Sequence, residues 1–238
     1  MELINYETIR AIVKKRPSEK IKSPYVADII IENETYLAHT PGLHLGGQIV
    51  EGSIVYVQKS NEKSKTDYKI ICVKVETPET FVCAQPLYAN YIFEKAVELG
   101  QIEEFKNYKK LQREVTLEKG HRVDFKIDDS LIEVKSVVCK EGTTGVFPVG
   151  GLLKKYDETH KTISPRAIKH IKNLNELENT YIYFIILRGD CDGFQPNYKK
   201  DPYFAEVLNN AKNVKIRCFY VNVTDKNITY GANILNIK

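Results

Sequence analysis

The spacing of apolar positions changes near residue 80. Before that point they come in short β-branched or aromatic runs, at 25–31, 35–38, 54–57 and 68–75, as strands do. Turn residues separate the runs: Glu32-Asn33-Glu34, Pro41-Gly42, Gly46-Gly47, Glu51-Gly52 and the polar stretch 60–65. Short strands punctuated in this way predict a small β-barrel. The stretch Thr77-Pro78-Glu79-Thr80 is the natural place to divide the chain into a domain of residues 1–82 and one of residues 83–238.

Beyond it, helical and strand periods mix. Residues 87–111 read as mostly helical, with Ile92, Ala96 and Leu99 on one face and Gly100 as an interruption. Strand patterns follow at 114–117, 122–127 and 131–138. Ser164-Pro165 opens a helix with a good cap residue and a proline in the first turn; Ala167, Ile168, Ile171 and Leu174 make its apolar stripe. The run 181–187 fits a central strand. Asp201-Pro202 opens a helix through Ala211, and 214–223 is a last strand. A hairpin followed by strand–helix–strand crossovers predicts a mixed sheet flanked by helices, so the chain as a whole is α+β.

Composition narrows the class. At 238 residues with 42% hydrophobic and 28% charged positions, the chain is long enough and apolar enough to fold on a packed core. A net charge of +4 permits a nucleic-acid partner without demanding one. No window approaches the ~18 apolar residues of a membrane span, and the first 16 residues lack a signal peptide's apolar centre. The five cysteines are scattered, without CxxC or Cys/His metal spacing, which argues against a disulfide scaffold or zinc finger. These features predict an intracellular protein, cytoplasmic or associated with the nucleoid or nucleus, with no membrane partner.

The candidate chemistry lies in 121–135. Asp124 precedes a hairpin, and Glu133-Val134-Lys135 interrupts an otherwise apolar strand. Acid-x-Lys alone is uninformative, because the chain contains four: at 67–69, 104–106, 124–126 and 133–135. Only the last sits within an apolar strand, where Glu133 and Lys135 share a face. If Asp128-Asp129 form a two-residue turn, Asp124 falls directly opposite Glu133, with Cβ atoms ~5 Å apart. Two carboxylates so placed repel unless a cation lies between them. They suit Mg²⁺ (or Mn²⁺), hard cations that prefer oxygen ligands. Such a cation polarises a phosphate and lowers the pKa of water, and Lys135 is placed to orient that water and offset developing charge. The competing reading is a pair of surface charges at a hairpin edge; the apolar strand around Glu133 weighs against it.

Glu114, at the start of the first strand of this region, is a candidate third acid for catalysis and metal binding, balanced by its reading as an ordinary surface glutamate. Arg166, Lys169 and His170 follow a capped helix start, with Arg166 and His170 one turn apart. They suit phosphate, or they are a solvated face opposite the apolar stripe. Lys63 and Lys65, in the basic loop 59–69, suit a strand of nucleic acid gripped by a barrel, or they keep a loop soluble. His39 and His44 read as loop histidines, and nothing marks Cys139 as a nucleophile.

The chain resembles the sugar fermentation stimulation protein A (SfsA) family over nearly its full length. The resemblance rests on Tyr25-Val26-Ala27-Asp28, His39-Thr40-Pro41, Phe81-Val82-Cys83-Ala84, Leu87-Tyr88-Ala89-Asn90, Glu114-Val115, Val123-Asp124-Phe125, Ile132-Glu133-Val134-Lys135-Ser136-Val137, Phe147-Pro148, and Arg166 with Lys169-His170-Ile171. It implies an OB-like N-terminal barrel followed by a PD-(D/E)XK nuclease-like domain. It implies DNA binding with a nuclease role, an active-site motif at Asp124, Glu133 and Lys135 with Glu114 upstream, and a basic helix at Arg166, Lys169 and His170. Departures are Gly42-Leu43-His44 after His-x-Pro, Val149 where the family has Asp, Ile168 where it has Gln, and a lengthened segment between Phe147 and Arg166. They bear on substrate handling more than on metal binding. The expected function is therefore metal-dependent hydrolysis of phosphodiester bonds in nucleic acid, DNA ahead of RNA. Two alternatives stand beside it: a DNA-binding protein of the same fold with weak or no turnover, and a protein-interaction module.

Overall fold

The structure is a computed structural model that describes residues 1–42, 47–76, 79–117 and 120–237. It divides into two compact units. His44, Gly46 and Thr77-Pro78 lie outside the described residues.

The first unit comprises Met1–Tyr88, Leu187–Asp190 and Val221–Gly231. Its strands are β1 (Glu2–Asn5), β2 (Ile9–Lys15), β3 (Val26–Ile31), β4 (Glu34–His39), β5 (Ile54–Lys59), β6 (Tyr68–Glu76) and β7 (Glu79–Cys83). The order β4-β3-β2-β5-β6 closes on itself through a parallel β4–β6 pairing, with Ala38 opposite Tyr68 and His39 opposite Lys69. The result is the expected OB-like barrel, built of five strands and filled by Ala11, Val13, Ala27, Ile29, Val55, Val57 and Ile70. β1 and β2 are not expected from sequence; β2 supplies Ala11 and Val13 to that core. Residues 60–67 join β5 to β6 and carry Lys63 and Lys65, both exposed.

The second unit comprises Ala89–Ile186, Cys191–Tyr220 and Ala232–Lys238. In chain order it contains α1 (Tyr88–Glu98), a 3₁₀ turn (Glu103–Phe105), β8 (Leu111–Thr116), β9 (Arg122–Ile127), β10 (Ser130–Val137), β11 (Cys139–Glu141), β12 (Thr144–Phe147), β13 (Lys154–Lys155) and β14 (Lys161–Thr162). Then come α2 (Pro165–Asn175), β15 (Thr180–Ile186), β16 (Gly193–Pro196), α3 (Pro202–Asn209), β17 (Val214–Val223), β18 (Asn227–Asn233) and β19 (Asn236–Ile237). By residue, β17 runs into the first unit at Val221 and β18 leaves it after Gly231. The expected helix over 87–111 is shorter. Gly100, at φ +65°, takes the left-handed conformation that ends a helix; Leu99 is exposed, and Leu111 belongs to a strand.

The sheet of this unit runs β17-β15-β10-β9-β8, parallel at β17, β15 and β10 and antiparallel beyond. It is the mixed sheet that the sequence predicts. Every residue of β15 is buried, because both faces are covered. On one face Ile182, Phe184 and Ile186 meet Ala167, Ile168, Ile171 and Leu174 of α2 and Phe204 and Leu208 of α3. On the other, Phe93 of α1 packs against Phe125 and Tyr183, at 5.0 and 4.8 Å between ring centroids. The lengthened segment before α2 forms the β13–β14 hairpin, and β11, β12, β16 and β19 make a small separate sheet. Among the described residues no helix is long and apolar enough to cross a membrane.

Ser164 does not cap α2 with its side chain. Its backbone N–H, and that of Ile163, donate to Oδ2 of buried Asp201, which also accepts from the Thr162 hydroxyl at 2.7 Å. The other oxygen of Asp201 caps α3 by accepting from Phe204 N–H at 3.1 Å. One carboxylate thus caps α3 and holds the residues that lead into α2.

Candidate metal centre

The hairpin β9–β10 has the register that a two-residue turn at Asp128-Asp129 requires: Ile127 pairs with Ser130, Lys126 with Leu131 and Phe125 with Ile132. The next step of that register sets Asp124 beside Glu133. Asp128 holds the turn in place, at φ +49°, by accepting from the backbone N–H groups of Lys109 and Lys110.

Asp124 is partly buried. Its Oδ2 accepts from Val134 N–H at 2.8 Å and its Oδ1 from the Asn90 amide at 3.2 Å. Burial, and next the neighbouring Glu133 carboxylate, push the Asp124 carboxyl above its ordinary range despite these donors. Glu133 is 2% exposed. Lys135 Nζ and His170 Nδ1 both meet its Oε1. Burial raises its carboxyl, but the His170 hydrogen bond and the Lys135 charge outweigh that and hold it below the ordinary range. The two carboxyls are thus pushed in opposite directions, Asp124 up and Glu133 down, by their different surroundings.

A cavity of about 320 Å³ opens on this pair and is also lined by Glu114, Arg122, Arg166, Lys169 and His170. The β8–β9 register, with Arg113 opposite Phe125 and Val115 opposite Val123, sets residue 114 beside Asp124 on the side away from Glu133. Glu114 has φ +53° and its carboxylate pairs with Arg122. Among the described residues no group of three or more His, Cys, Asp and Glu side chains is arranged as a metal cage; the convergent acids are Asp124 and Glu133. Arg166 and Lys169 are exposed on α2, whereas His170 is turned inward. Sequence reasoning missed Asn90 as a site residue, although it closes the Leu87-Tyr88-Ala89-Asn90 segment quoted for the resemblance.

The model of the sugar fermentation stimulation protein RE domain matches residues 87–227, more than half of the chain. The chain belongs to the SfsA family. Its second unit is thus a restriction-endonuclease-like domain of the SfsA type. An SfsA homologue from Carboxydothermus hydrogenoformans is 30% identical over 217 residues, covering 87% of this chain and 86% of that protein. One from Aquifex aeolicus is 34% identical over 159 residues, covering 66% and 64%. The solved structure of Pyrococcus furiosus SfsA in complex with Ca²⁺ has the same fold, with a TM-score of 0.81 at 23% identity over 100% of this chain and 99% of that one.

Proposed function

We propose that this SfsA protein is a divalent-metal-dependent nuclease that hydrolyses phosphodiester bonds in nucleic acid, DNA in the first place. The observation that carries the reading is the side-by-side placement of Asp124 and Glu133 in a cavity whose wall bears Arg166 and Lys169. The donor set fits Mg²⁺ or Mn²⁺: two hard carboxylates side by side, Glu133 shifted down by His170 and Lys135, Asp124 shifted up by burial and by its neighbour. Calcium in the Pyrococcus relative supports a hard divalent cation on this fold.

Asp124 and Glu133 would hold the cation, with Glu114 available if its pairing with Arg122 opens. A divalent cation there supplies Lewis acidity toward a phosphate oxygen and acidifies water. Val134 N–H and Asn90 fix the Asp124 carboxylate, so no rotamer search is needed when a phosphate arrives. Lys135, whose ammonium meets Glu133, would hold the attacking water and offset charge on the phosphate as its ester oxygen departs. Arg166 and Lys169 bind the flanking backbone. Lys63 and Lys65 sit on the barrel loop that OB folds use for oligonucleotides, and they would add phosphate contacts.

The test is incubation of single- and double-stranded DNA and RNA with the full chain and Mg²⁺ or Mn²⁺, with and without EDTA. Cleavage that EDTA abolishes and that Asp124→Asn and Glu133→Gln lack is the expected result. Binding that survives EDTA, with no cleavage of any substrate, would replace this reading with that of a DNA-binding protein.

A further inference from the structure

We infer that His170 is a positioning residue that aims the Glu133 carboxylate, with Arg166 fixing its tautomer, rather than a phosphate ligand. The inference rests on the metal-dependent reading above. It begins from the two ring nitrogens, each of which has a partner inside the protein. Nδ1 meets Glu133 Oε1, and Nε2 accepts from Arg166 Nε–H at 3.4 Å. A guanidinium only donates. Nε2 is therefore the acceptor, and Nδ1 carries the proton that goes to Glu133.

Sequence places Arg166 and His170 one helical turn apart on α2, which is why they touch. Nothing local places either beside Glu133, which is 37 residues away on β10. The apolar stripe of α2 does so: Ala167, Ile171 and Leu174 pack on Ile182 and Phe184 of β15, the parallel neighbour of β10. Core packing holds the helix, and the arginine holds the ring.

The consequence for Glu133 is directional. Among the described residues the side-chain donors to Glu133, Lys135 and His170, converge on Oε1, which restrains rotation of the carboxylate and leaves Oε2 as the oxygen to present to a cation. With Glu133 2% exposed, water is not there to take over that role. A histidine whose second nitrogen is pinned by another group is how protein metal sites orient their carboxylates and imidazoles, and removing such partners costs about 10–100-fold in metal affinity. The arrangement also separates two duties within the basic helix. Arg166 retains its terminal nitrogens for phosphate and Lys169 its whole head group, while both nitrogens of His170 are committed.

The experiment is calorimetric titration of Mn²⁺ into the full chain, as wild type, His170→Ala, His170→Asn and His170→Gln. Asparagine carries its amide nitrogen at the position of Nδ1, glutamine at that of Nε2. His170→Ala is expected to weaken Mn²⁺ about 10–100-fold, His170→Asn to recover most of that loss, and His170→Gln to recover little. Equal affinity in all four proteins, or Gln rescuing as well as Asn, overturns the inference and leaves the nuclease reading standing. Wild type that binds no Mn²⁺ removes the metal reading and the inference together. Nitrogen-15 correlation spectra of metal-free wild type supply a check that needs neither metal nor a variant. A proton on Nδ1 of His170 agrees with the assignment, and the Nε2–H form contradicts it.

Discussion

The backbone N–H of Val134 donates to Oδ2 of Asp124 at 2.8 Å, so the strand that carries Glu133 also holds the acid opposite it. This hydrogen bond and the one from Asn90 let a carboxylate sit beside another at a cost the fold tolerates.

Relieving that repulsion is expected to stabilise the metal-free protein. Asp124→Asn keeps an oxygen for Val134 N–H and turns its amide toward Asn90, whose own amide must flip to accept. Like charges directly opposite on a sheet cost up to ~1 kcal/mol, which for a chain of this size is about 2–4 °C. The sign with pH follows from the raised carboxyl of Asp124. Stability from such a group is present below its unfolded pKa of about 3.9 and is lost as pH rises through the higher folded value. The mutant's advantage should then be absent in acid and open as pH rises. Thermal melts in EDTA across pH measure it; a mutant that melts lower at pH 7 would show that the hydrogen bonds outweigh the repulsion.

Glu133 should behave oppositely. Its folded carboxyl lies below the ordinary range, so its contribution is present above the unfolded pKa of about 4.3 and is lost as pH falls through the folded value. Glu133→Gln should lower the melting temperature at pH 7, and the difference should close in acid. An unchanged difference at all pH values would mean that the loss is packing, not charge.

Lys135 joins stability to catalysis. From sequence it reads as a strand-end lysine without weight in the fold, but its ammonium meets buried Glu133. Lys135→Met, which keeps the alkyl stem, should destabilise the metal-free protein and lower single-turnover cleavage about 10²–10³-fold at saturating Mn²⁺. Cleavage at the wild-type rate would remove Lys135 from the chemistry.

What could be read from the sequence was local. The Asp128-Asp129 turn set the β9–β10 register by its length, the unbroken apolar run of β15 declared a strand covered on both faces, and the stripe of α2 marked its buried side. What could not be read depended on distant partners. Ile9–Lys15 buries only Ala11 and Val13 while Ile9 and Ile12 are exposed, so apolar Ile12 blurs the alternation that marks a strand. Leu111 looked helical because nothing near it says that β9 will pair with it. Ser164 stands at the N-cap of α2 without a side-chain cap, and the carboxylate that holds the chain there, Asp201, is 37 positions away. Glu133 and Lys135 were recognisable as chemistry, whereas the link from His170 to Glu133 exists only once α2 has packed on the sheet.

Nucleic-acid affinity should depend steeply on salt, by a slope of ~0.9 in log–log terms for each phosphate neutralised on duplex. Lys63→Ala with Lys65→Ala should lower the slope by about 1.8 if both contact phosphate, and Arg166→Ala with Lys169→Ala should do the same. Fluorescence anisotropy at several salt concentrations reads the slope. A slope unchanged by the barrel pair would leave phosphate binding to the second unit alone.

The junction at Asp201 offers a test of how α2 is held in place. Its side chain is fully buried and takes four donors: Thr162 Oγ1, Ile163 N and Ser164 N on Oδ2, and Phe204 N on Oδ1. Asparagine has nearly the same shape but only one oxygen. If that oxygen serves the three donors before α2, the amide faces Phe204 N–H and the cap of α3 is lost. If it serves Phe204, three donors are orphaned. Either orientation leaves a buried donor unsatisfied, at about 1–3 kcal/mol, so Asp201→Asn should lower the melting temperature by roughly 2–12 °C, given about 2–4 °C per kcal/mol. Hydrogen exchange should locate the damage: faster exchange of the Phe204 amide alone selects the first orientation, and faster exchange at Ile163 and Ser164 the second. The second orientation frees the start of the helix that carries Arg166, Lys169 and His170, and it alone should weaken Mn²⁺ binding without touching a metal ligand. A variant that melts with the wild type and exchanges like it would show that water or a shifted backbone satisfies these groups, and that the carboxylate does not hold the two helices.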